Sequence, residues 1–343
     1  MARTALVSGA TGFIGHHVAA HLLEQGWSVR ALVRPSSMEH ALWPAGAEPV
    51  AGDVRDADAV VAAARGCDAV FHVAAHYSLR RAAAREVTET NVQGTANAIA
   101  AAAAADAPLV HTSSVSTIGM PARGVGDEDT PLRRSQVIGA YKWSKVEAER
   151  LVLAAAARGQ WAVVVNPSAP VGPGDRKPTP TGRVVLDFLR GRMRAVVDTG
   201  LNLVDVRDVA AGHLLALERV TPGRRYVLGN ANMTLLAILR MLGDETGLPA
   251  PTRRIPHAAA IGFAAVDEVV EGWLLRREPL APLDGARMAR KPMYYSAARA
   301  VKELKLPQSP VRDALRAAAE WYWDAGMAVP PADRARPAAA VAP

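Results

Sequence analysis

The chain has 343 residues, half of them hydrophobic and 21% charged, with 40 Lys and Arg against 33 Asp and Glu for a net charge of +7. That length and balance suit one large domain or two modest ones and exclude disordered, collagenous and coiled-coil classes. The single cysteine, Cys67, excludes an intramolecular disulfide and a cysteine zinc site. The positive balance suits an anionic ligand or a membrane surface, but the basic residues are scattered, so no nucleic-acid partner is expected.

Short β-branched runs alternate along the chain with longer, alanine-rich periodic ones. Strands are expected over 4–8, 28–33, 48–51, 69–73, 109–112 and 161–165, and helices over 14–25, 57–65, 91–105 and 141–157. Such alternation predicts an α/β Rossmann-type fold, a doubly wound parallel sheet with right-handed crossovers. Past Asn166 the pattern changes: residues 166–175 are dense in Pro and Gly, and 177–183 read as a Pro/Thr loop. Residues 203–219 return to strand, turn and helix and 226–228 to a short strand, so 200–230 is expected to rejoin a first domain of residues 1–166. Segments 167–199 and 231–328 then make a smaller, mainly helical substrate lobe, and 329–343 a disordered tail rich in Ala, Pro and Arg. The start, Met1-Ala2-Arg3, has too short an apolar stretch after it for a secretory leader. No uninterrupted run of about 18 apolar residues occurs. The richest stretch, 258–275, is broken by Asp267, Glu268 and Glu271, so a cytoplasmic protein is expected.

The turn Gly9-Ala10-Thr11-Gly12-Phe13-Ile14-Gly15 joins the first expected strand to the first expected helix. Gly9 permits a tight turn, Gly12 lets backbone N–H groups approach a pyrophosphate, and Gly15 lets the helix pack close to the sheet. A glycine triplet alone is a weak signal, but in this strand–turn–helix setting it predicts a dinucleotide site. NAD sites place a carboxylate at the end of the second strand. Here that strand runs into Arg34-Pro35-Ser36-Ser37, so Arg34 and Ser36 are expected to clamp the 2′-phosphate of NADP, with NAD the alternative. In Gly52-Asp53-Val54-Arg55-Asp56, Asp53 is expected to accept from the adenine amino group with Val54 beside it. The plainer alternative makes Asp56 a helix cap and Asp53 merely its neighbour.

Tyr141 and Lys145 stand four apart, on one face of an expected helix. A phenol of pKa about 10 is a poor acid or base at neutral pH, and a lysine cation together with a positive nicotinamide ring would lower that value. Lys145 could also hold the nicotinamide ribose. The pair follows a strand ending His111-Thr112-Ser113-Ser114, where a hydroxyl would hold a substrate oxygen while Tyr141 moves the proton. A surface helix pair is the plainer reading of Tyr-x-x-x-Lys alone.

Together the glycine turn, Asp53, Ser114, Tyr141 and Lys145 resemble the extended short-chain dehydrogenase/reductase superfamily, over residues 4 to about 323. A narrower similarity, to the hopanoid-associated sugar epimerase subfamily, is carried by residues 165–183, 198–204 and 284–290. The resemblance implies Ser114 rather than Ser113 as the catalytic hydroxyl. It also implies cofactor contacts from Thr112, from Ala74 and Ala75 on the nicotinamide side, and from Pro167 and Ser168 at the far face of the ring. Asn91 resembles the superfamily's structural asparagine at a helix start, beside the cofactor. A homodimer pairing helices 91–105 and 141–157 across a two-fold axis is also implied.

Sugar dehydratases of this superfamily carry an Asp-Glu pair after the catalytic hydroxyl, where this chain has Val115-Ser116. Relatives that epimerise at two sugar carbons use a cysteine in that loop, and Cys67 lies ahead of the fourth strand. Nucleotide-sugar 4-epimerases usually carry an Asn where alignment on Gly172 puts Ala169, and residues 165–173 are similar to dihydroflavonol and cinnamoyl-type reductases. The expectation is an NADP-dependent reductase of a sugar-like or polyol carbonyl, on a small or lipid-linked (hopanoid-linked) substrate. A 4-epimerase with retained cofactor comes second, and a non-catalytic dinucleotide sensor, which would commonly lose Tyr or Lys, comes third.

Other signals read as structure. His17 and His21 stand four apart with no third ligand, so no metal site is expected. His76 and Tyr77, past the fourth strand, could reach substrate. Arg190, Arg192 and Arg194 read as a solvated face that could also meet a phosphate or an anionic headgroup. Asp205, Arg207 and Asp208 look like support for the domain junction. Trp273-Leu274-Leu275 with Arg276 and Arg277 reads as packing, or as a peripheral membrane contact.

Overall fold

In the computed structural model, which describes residues 2–78, 80–121, 124–267 and 290–331, the chain runs β1 (Thr4–Ser8), α1 (Phe13–Glu24), β2 (Ser28–Val33), β3 (Glu48–Ala51), α2 (Ala57–Ala64) and β4 (Ala69–His72). Next come α3 (Ala84–Thr88), α4 (Gly94–Ala104), β5 (Leu109–Thr112), α5 (Gly139–Ala157), β6 (Ala162–Pro167), β7 (Ala169–Val171), α6 (Pro180–Leu189) and β8 (Ala195–Val196). Then follow β9 (Gly200–Asp205), α7 (Val206–Arg219), β10 (Arg225–Leu228), β11 (Ala231–Thr234), α8 (Leu235–Thr246), β12 (Arg253–Arg254), α9 (His257–Asp267) and α10 (Val311–Asp324). Residues 268–289 and 332–343, which include most of the 284–290 similarity, Trp273 to Arg277 and most of the expected tail, lie outside the described residues.

Seven strands form one parallel sheet in the order β10-β6-β5-β4-β1-β2-β3. The winding reverses between β1 and β4, and in such sheets the crevice outside the carboxyl ends of those strands is where ligands bind. Side-chain alternation divides the core. Ala5 and Val7 of β1 and Val163 and Val165 of β6 face one cluster, which α1 and α7 cover. Leu6, Ala162 and Val164 face the other, against small residues of α2 and α4 such as Ala63, Ala64, Ala98 and Ala101. Alanines there allow the two helices to approach closely.

Local signals set several boundaries. Asp56 caps α2, its Oδ1 accepting from Ala59 N at 3.1 Å. The expected helix 91–105 is instead the end of a longer helical run: α3 leads through a π turn, Glu89–Gln93, into α4. Asn91 therefore lies inside that π turn and not at a helix start.

The second lobe departs most from expectation. The Pro/Gly-dense stretch after Asn166 contains a strand, and β11, β9 and β7 make a three-stranded sheet of their own. Helix α6 begins inside the expected 177–183 loop, because Thr179 caps it through Gly182 N at 3.1 Å and Pro180 sits at its first position. No turn separates β9 from α7: Asp205 ends the strand and caps the helix, accepting from Arg207 N at 2.8 Å. Residues 200–230 therefore divide. β9 joins the small sheet, α7 packs on α1, and β10 pairs with β6 in the large sheet. Behind the small sheet, α6, α8 and α10 bury Leu186, Phe188, Leu239, Leu242, Leu315 and Tyr322 in a separate core. Asp208 fastens the junction, accepting from Ser309 N and Ser309 Oγ at 2.7 Å each.

Candidate functional site

The glycine turn leaves the carboxyl end of β1 at the reversal point. Gly9 has φ +79°, open to glycine, and a Cβ there would come within 2.7 Å of the Ala74 amide past β4. Gly12 N donates to Gly9 O at 2.9 Å, closing the turn. Gly15 is buried, and a Cβ on it would overlap the Gly9 carbonyl, so this glycine serves the turn itself more than the contact of helix with sheet. Helix α1 opens at Gly12 with no side-chain cap, so its first-turn amides, following Thr11, lack protein acceptors. Behind them Ile14 packs on the core and Phe13 stands edge-on to His17, with ring centroids 5.8 Å apart.

At the end of β2, Arg34 and Ser36 are exposed, with Pro35–Ser37 in a single helical turn. Arg55 grips both oxygens of Asp53, Nε on Oδ1 at 3.0 Å and Nη2 on Oδ2 at 2.7 Å, and this pairing holds the carboxyl below its usual range. The neighbouring Val54 carbonyl accepts from Asn97 Nδ2 at 2.8 Å.

At the end of β5 the two serines separate by role. Ser113 Oγ donates to Glu149 Oε2 at 2.5 Å, whereas the Ser114 hydroxyl accepts from Ser116 N at 3.1 Å and lies close enough to the Tyr141 phenol to favour its ionised form. Tyr77 stands edge-on to Tyr141, with ring centroids 4.6 Å apart. Burial pushes Tyr141 up to about 12, and the Ser114 hydroxyl offsets this only in part. The lowering expected from Lys145 is not found. Its ammonium donates to the Thr112 carbonyl at 2.7 Å, and burial brings its own pKa down to about 8, opposed by the Glu149 charge.

Three residues expected to meet cofactor or substrate have partners within the protein. Asn91 uses both its amide donors: Nδ2 donates to His76 O at 3.1 Å and Ser144 Oγ at 2.9 Å, and Oδ1 accepts from His76 N at 2.7 Å. It clasps the strap carrying Ala74 and Ala75 to helix α5. Thr112 shares a 2.8 Å hydrogen bond with His213, whose other ring nitrogen bonds the Val209 carbonyl at 2.7 Å. The neutral ring then donates to Val209 and accepts from the Thr112 hydroxyl. His76 turns to Glu86, at 3.2 Å, leaving Tyr77 as the member of that pair beside the phenol. His17 bonds the Pro173 carbonyl at 2.8 Å, and no cluster of metal-ligating side chains occurs among the described residues. Pro167 is buried at the end of β6, and the Ser168 hydroxyl beyond it is buried without a partner.

The sequence reading missed the group beneath the reactive pair. Glu149 lies one turn past Lys145 on α5, a spacing that repeats the Tyr141–Lys145 interval and could have signalled it. Its Oε2 accepts from Ser113, Thr117 Oγ1 at 2.7 Å and Asn166 Nδ2 at 2.8 Å, and its Oε1 from Arg225 Nη1 at 2.9 Å. One carboxylate thus joins the serine loop, β6 and β10 to the helix bearing Tyr141. His72 and His111 stack nearby, 5.5 Å apart. Burial holds His72 down to about 3 and His111 well below its usual range.

The model of the NAD dependent epimerase/dehydratase family matches residues 5–229, from the first strand through β10. The chain belongs to that family. Within it, 332 residues are 48% identical to the putative dihydroflavonol 4-reductase of Synechocystis sp., covering 95% of this chain and 96% of that one. The sterol demethylase protein B of Methylococcus capsulatus is 34% identical over 326 residues, covering 94% and 99%. The crystal structure of gox2253 superposes with a TM-score of 0.81 at 39% identity, covering 96% of this chain and all of that one. The protein is therefore an NAD(P)-dependent enzyme of the extended short-chain dehydrogenase/reductase superfamily. A dinucleotide fits the site, since α1 starts directly after the tight glycine turn with no side-chain cap, and amides at such a helix start suit a pyrophosphate.

Proposed function

We propose that this enzyme reduces a carbonyl on a sugar-like, polyol or lipid-linked substrate with NADPH. The observation that carries the reading is the convergence of Ser114 and Tyr141 past the carboxyl end of β5, beside buried Lys145 that the Thr112 carbonyl holds. Bound NADPH supplies a hydride equivalent. Ser114 donates to the substrate oxygen and orients it; Tyr141, protonated at neutral pH in its buried setting, delivers the proton from its phenol oxygen. Lys145, held by the Thr112 carbonyl, presents its ammonium where the nicotinamide ribose would lie, and Pro167 and Ser168 border the far face. Tyr77 walls the substrate side. The lobe built on β7, β9 and β11 with α6, α8 and α10 selects the substrate.

Arg34 and Ser36, exposed and without a neighbouring carboxylate on their turn, favour a 2′-phosphate and so net reduction. The names of the two curated relatives, a reductase and a sterol-processing protein, support the reductase reading over a sugar 4-epimerase. The exposed faces of α4 and α5, with Trp143 at 47% exposure, suit a homodimer contact, and a cytoplasmic location accords with this chemistry.

Tyr141→Phe tests the mechanism. Carbonyl-dependent NADPH oxidation should fall about 100-fold or more, the scale of a lost general acid, while NADPH still raises the melting temperature. Turnover at the wild-type rate would refute the assignment, and epimerisation with no net NADPH consumption would favour the 4-epimerase. Arg34→Ala should weaken NADPH binding about 10-fold or more, as loss of a charge-assisted contact predicts, and leave NADH nearly unchanged.

A further inference from the structure

The second lobe contains a cavity of about 330 Å3 that shares no lining residue with the Ser114–Tyr141 group. Buried Phe188 and half-buried Met193 and Leu248 make its apolar floor, and exposed Pro249, Arg194 and Arg253 line it toward solvent. Both arginines line this cavity, at the place where β8 and β12 pair: Arg253 lies opposite Ala195, the residue after Arg194, and Ile255 N donates to Val196 O at 2.9 Å. Both are exposed, and neither has an acidic partner among the described residues. Elsewhere on the surface many arginines are neutralised, as in Arg3–Glu218, Arg150–Glu147 and Arg312–Glu245. Next to the rim the chain turns apolar and outward: Ile255 is 40% exposed, Pro256 is exposed, and α9 shows Ala258, Ala259 and Gly262 to solvent.

We propose that this cavity and its apolar border bind an anionic phospholipid of a membrane surface, the headgroup phosphate between Arg194 and Arg253 and the lipid's apolar part along the floor. Guanidinium groups suit a phosphate as donors in a fixed fork, and an apolar floor adds what a free anion could not use. Ile255 and the outward face of α9 then lie against the interface, the arrangement of a protein that rests on a bilayer without crossing it. No helix among the described residues is long and apolar enough to cross. Attachment of this kind does not depend on the proposed hydride transfer, although it would bring an apolar carbonyl within reach of it.

The test is co-sedimentation of the full chain with vesicles of phosphatidylcholine alone and of phosphatidylcholine mixed equally with phosphatidylglycerol. Binding is expected to the mixed vesicles only, weakening with added salt. The double variant Arg194→Ala/Arg253→Ala should bind about 30-fold more weakly, about fivefold for each charge removed near an anionic surface. Ile255→Asp should also weaken it. A control with the same change in net charge, Arg65→Ala/Arg158→Ala, should lose much less. Equal losses in the two double variants, or no preference for the mixed vesicles, would overturn the proposal. So would inorganic phosphate alone raising the melting temperature of wild type and not of Arg194→Ala/Arg253→Ala, which would assign the cavity to a free anion. Each readout is binding, so it stands whether or not the reductase reading holds.

Discussion

Two buried carboxylates, one under the large sheet and one in the second lobe, are treated in opposite ways. Glu149 accepts from four partners and meets a guanidinium, Arg225, which in turn donates to the Glu128 carbonyl. Asp175 receives Thr179 N at 2.8 Å, Thr179 Oγ1 at 2.7 Å and Tyr322 OH at 3.4 Å, all on Oδ2, while Oδ1 is buried without a donor. Burial accordingly pushes the Asp175 carboxyl up. The contrast teaches that the sheet side is organised around charge held in place, and the lobe around a group that its surroundings press toward neutrality.

Acid should separate the two regions most. His72, His111 and His213 all lie at the sheet and are held neutral by burial, with values of about 3 for His72 and about 4 for His213. Their folded forms bind fewer protons than the unfolded chain, so stability is full above about pH 6.5 and falls below it, by about 2 kcal/mol per histidine at pH 5. Asp175 has the opposite sign, its raised value favouring the folded state as pH drops toward the carboxylate range. Hydrogen exchange at pH 7 and pH 5 should therefore show β4 and β5 losing protection before α6 and α10. Simultaneous loss in both regions would erase the distinction.

Substitution should give the next largest effect. Glu149→Ala leaves Arg225 without its carboxylate and frees the Ser113, Thr117 and Asn166 donors, a loss of about 3 kcal/mol in denaturant midpoint analysis. Glu149→Gln keeps the shape and should fold, but with Lys145 no longer supported by a neighbouring anion its pH–rate profile should shift to lower pH. An unchanged profile would reduce Glu149 to a packing role. The smallest effect is expected in the lobe: Asp175→Asn should change stability at pH 7 by less than about 1 kcal/mol, in the stabilising direction, because the buried charge is removed. A strongly destabilised Asp175→Asn would show that the two carboxylates are alike after all.

The same division governs what could be read from the residues. The strands of the large sheet are short apolar runs bounded by Gly, Asp or Pro, and β1, β2, β3 and β5 have the bounds that this pattern predicts. The small sheet has no such local mark. Ala169 and Ala231 both pair with Leu203, partners that only the folded chain brings together. At the site, the residue types of the glycine turn and of Ser114, Tyr141 and Lys145 were legible because their chemistry demands them. What they touch was not. Burial raises Tyr141, Thr112 captures the Lys145 ammonium, and Asn91 sits in a π turn that no spacing rule marks. The Asp53–Arg55 pairing, two residues apart, was legible in principle.

The return of β10 to the edge of β6 also bears on how the chain can be divided. A protein truncated after Asn166 would keep every residue of the Ser114–Tyr141–Lys145 group. It would nonetheless present β6 as a bare, apolar border strand and strip Glu149 of Arg225. Bare borders of that sort recruit other chains, so the fragment is a candidate for aggregation rather than a minimal catalyst, and engineering of the second lobe is better done by replacing its loops than by cutting it away.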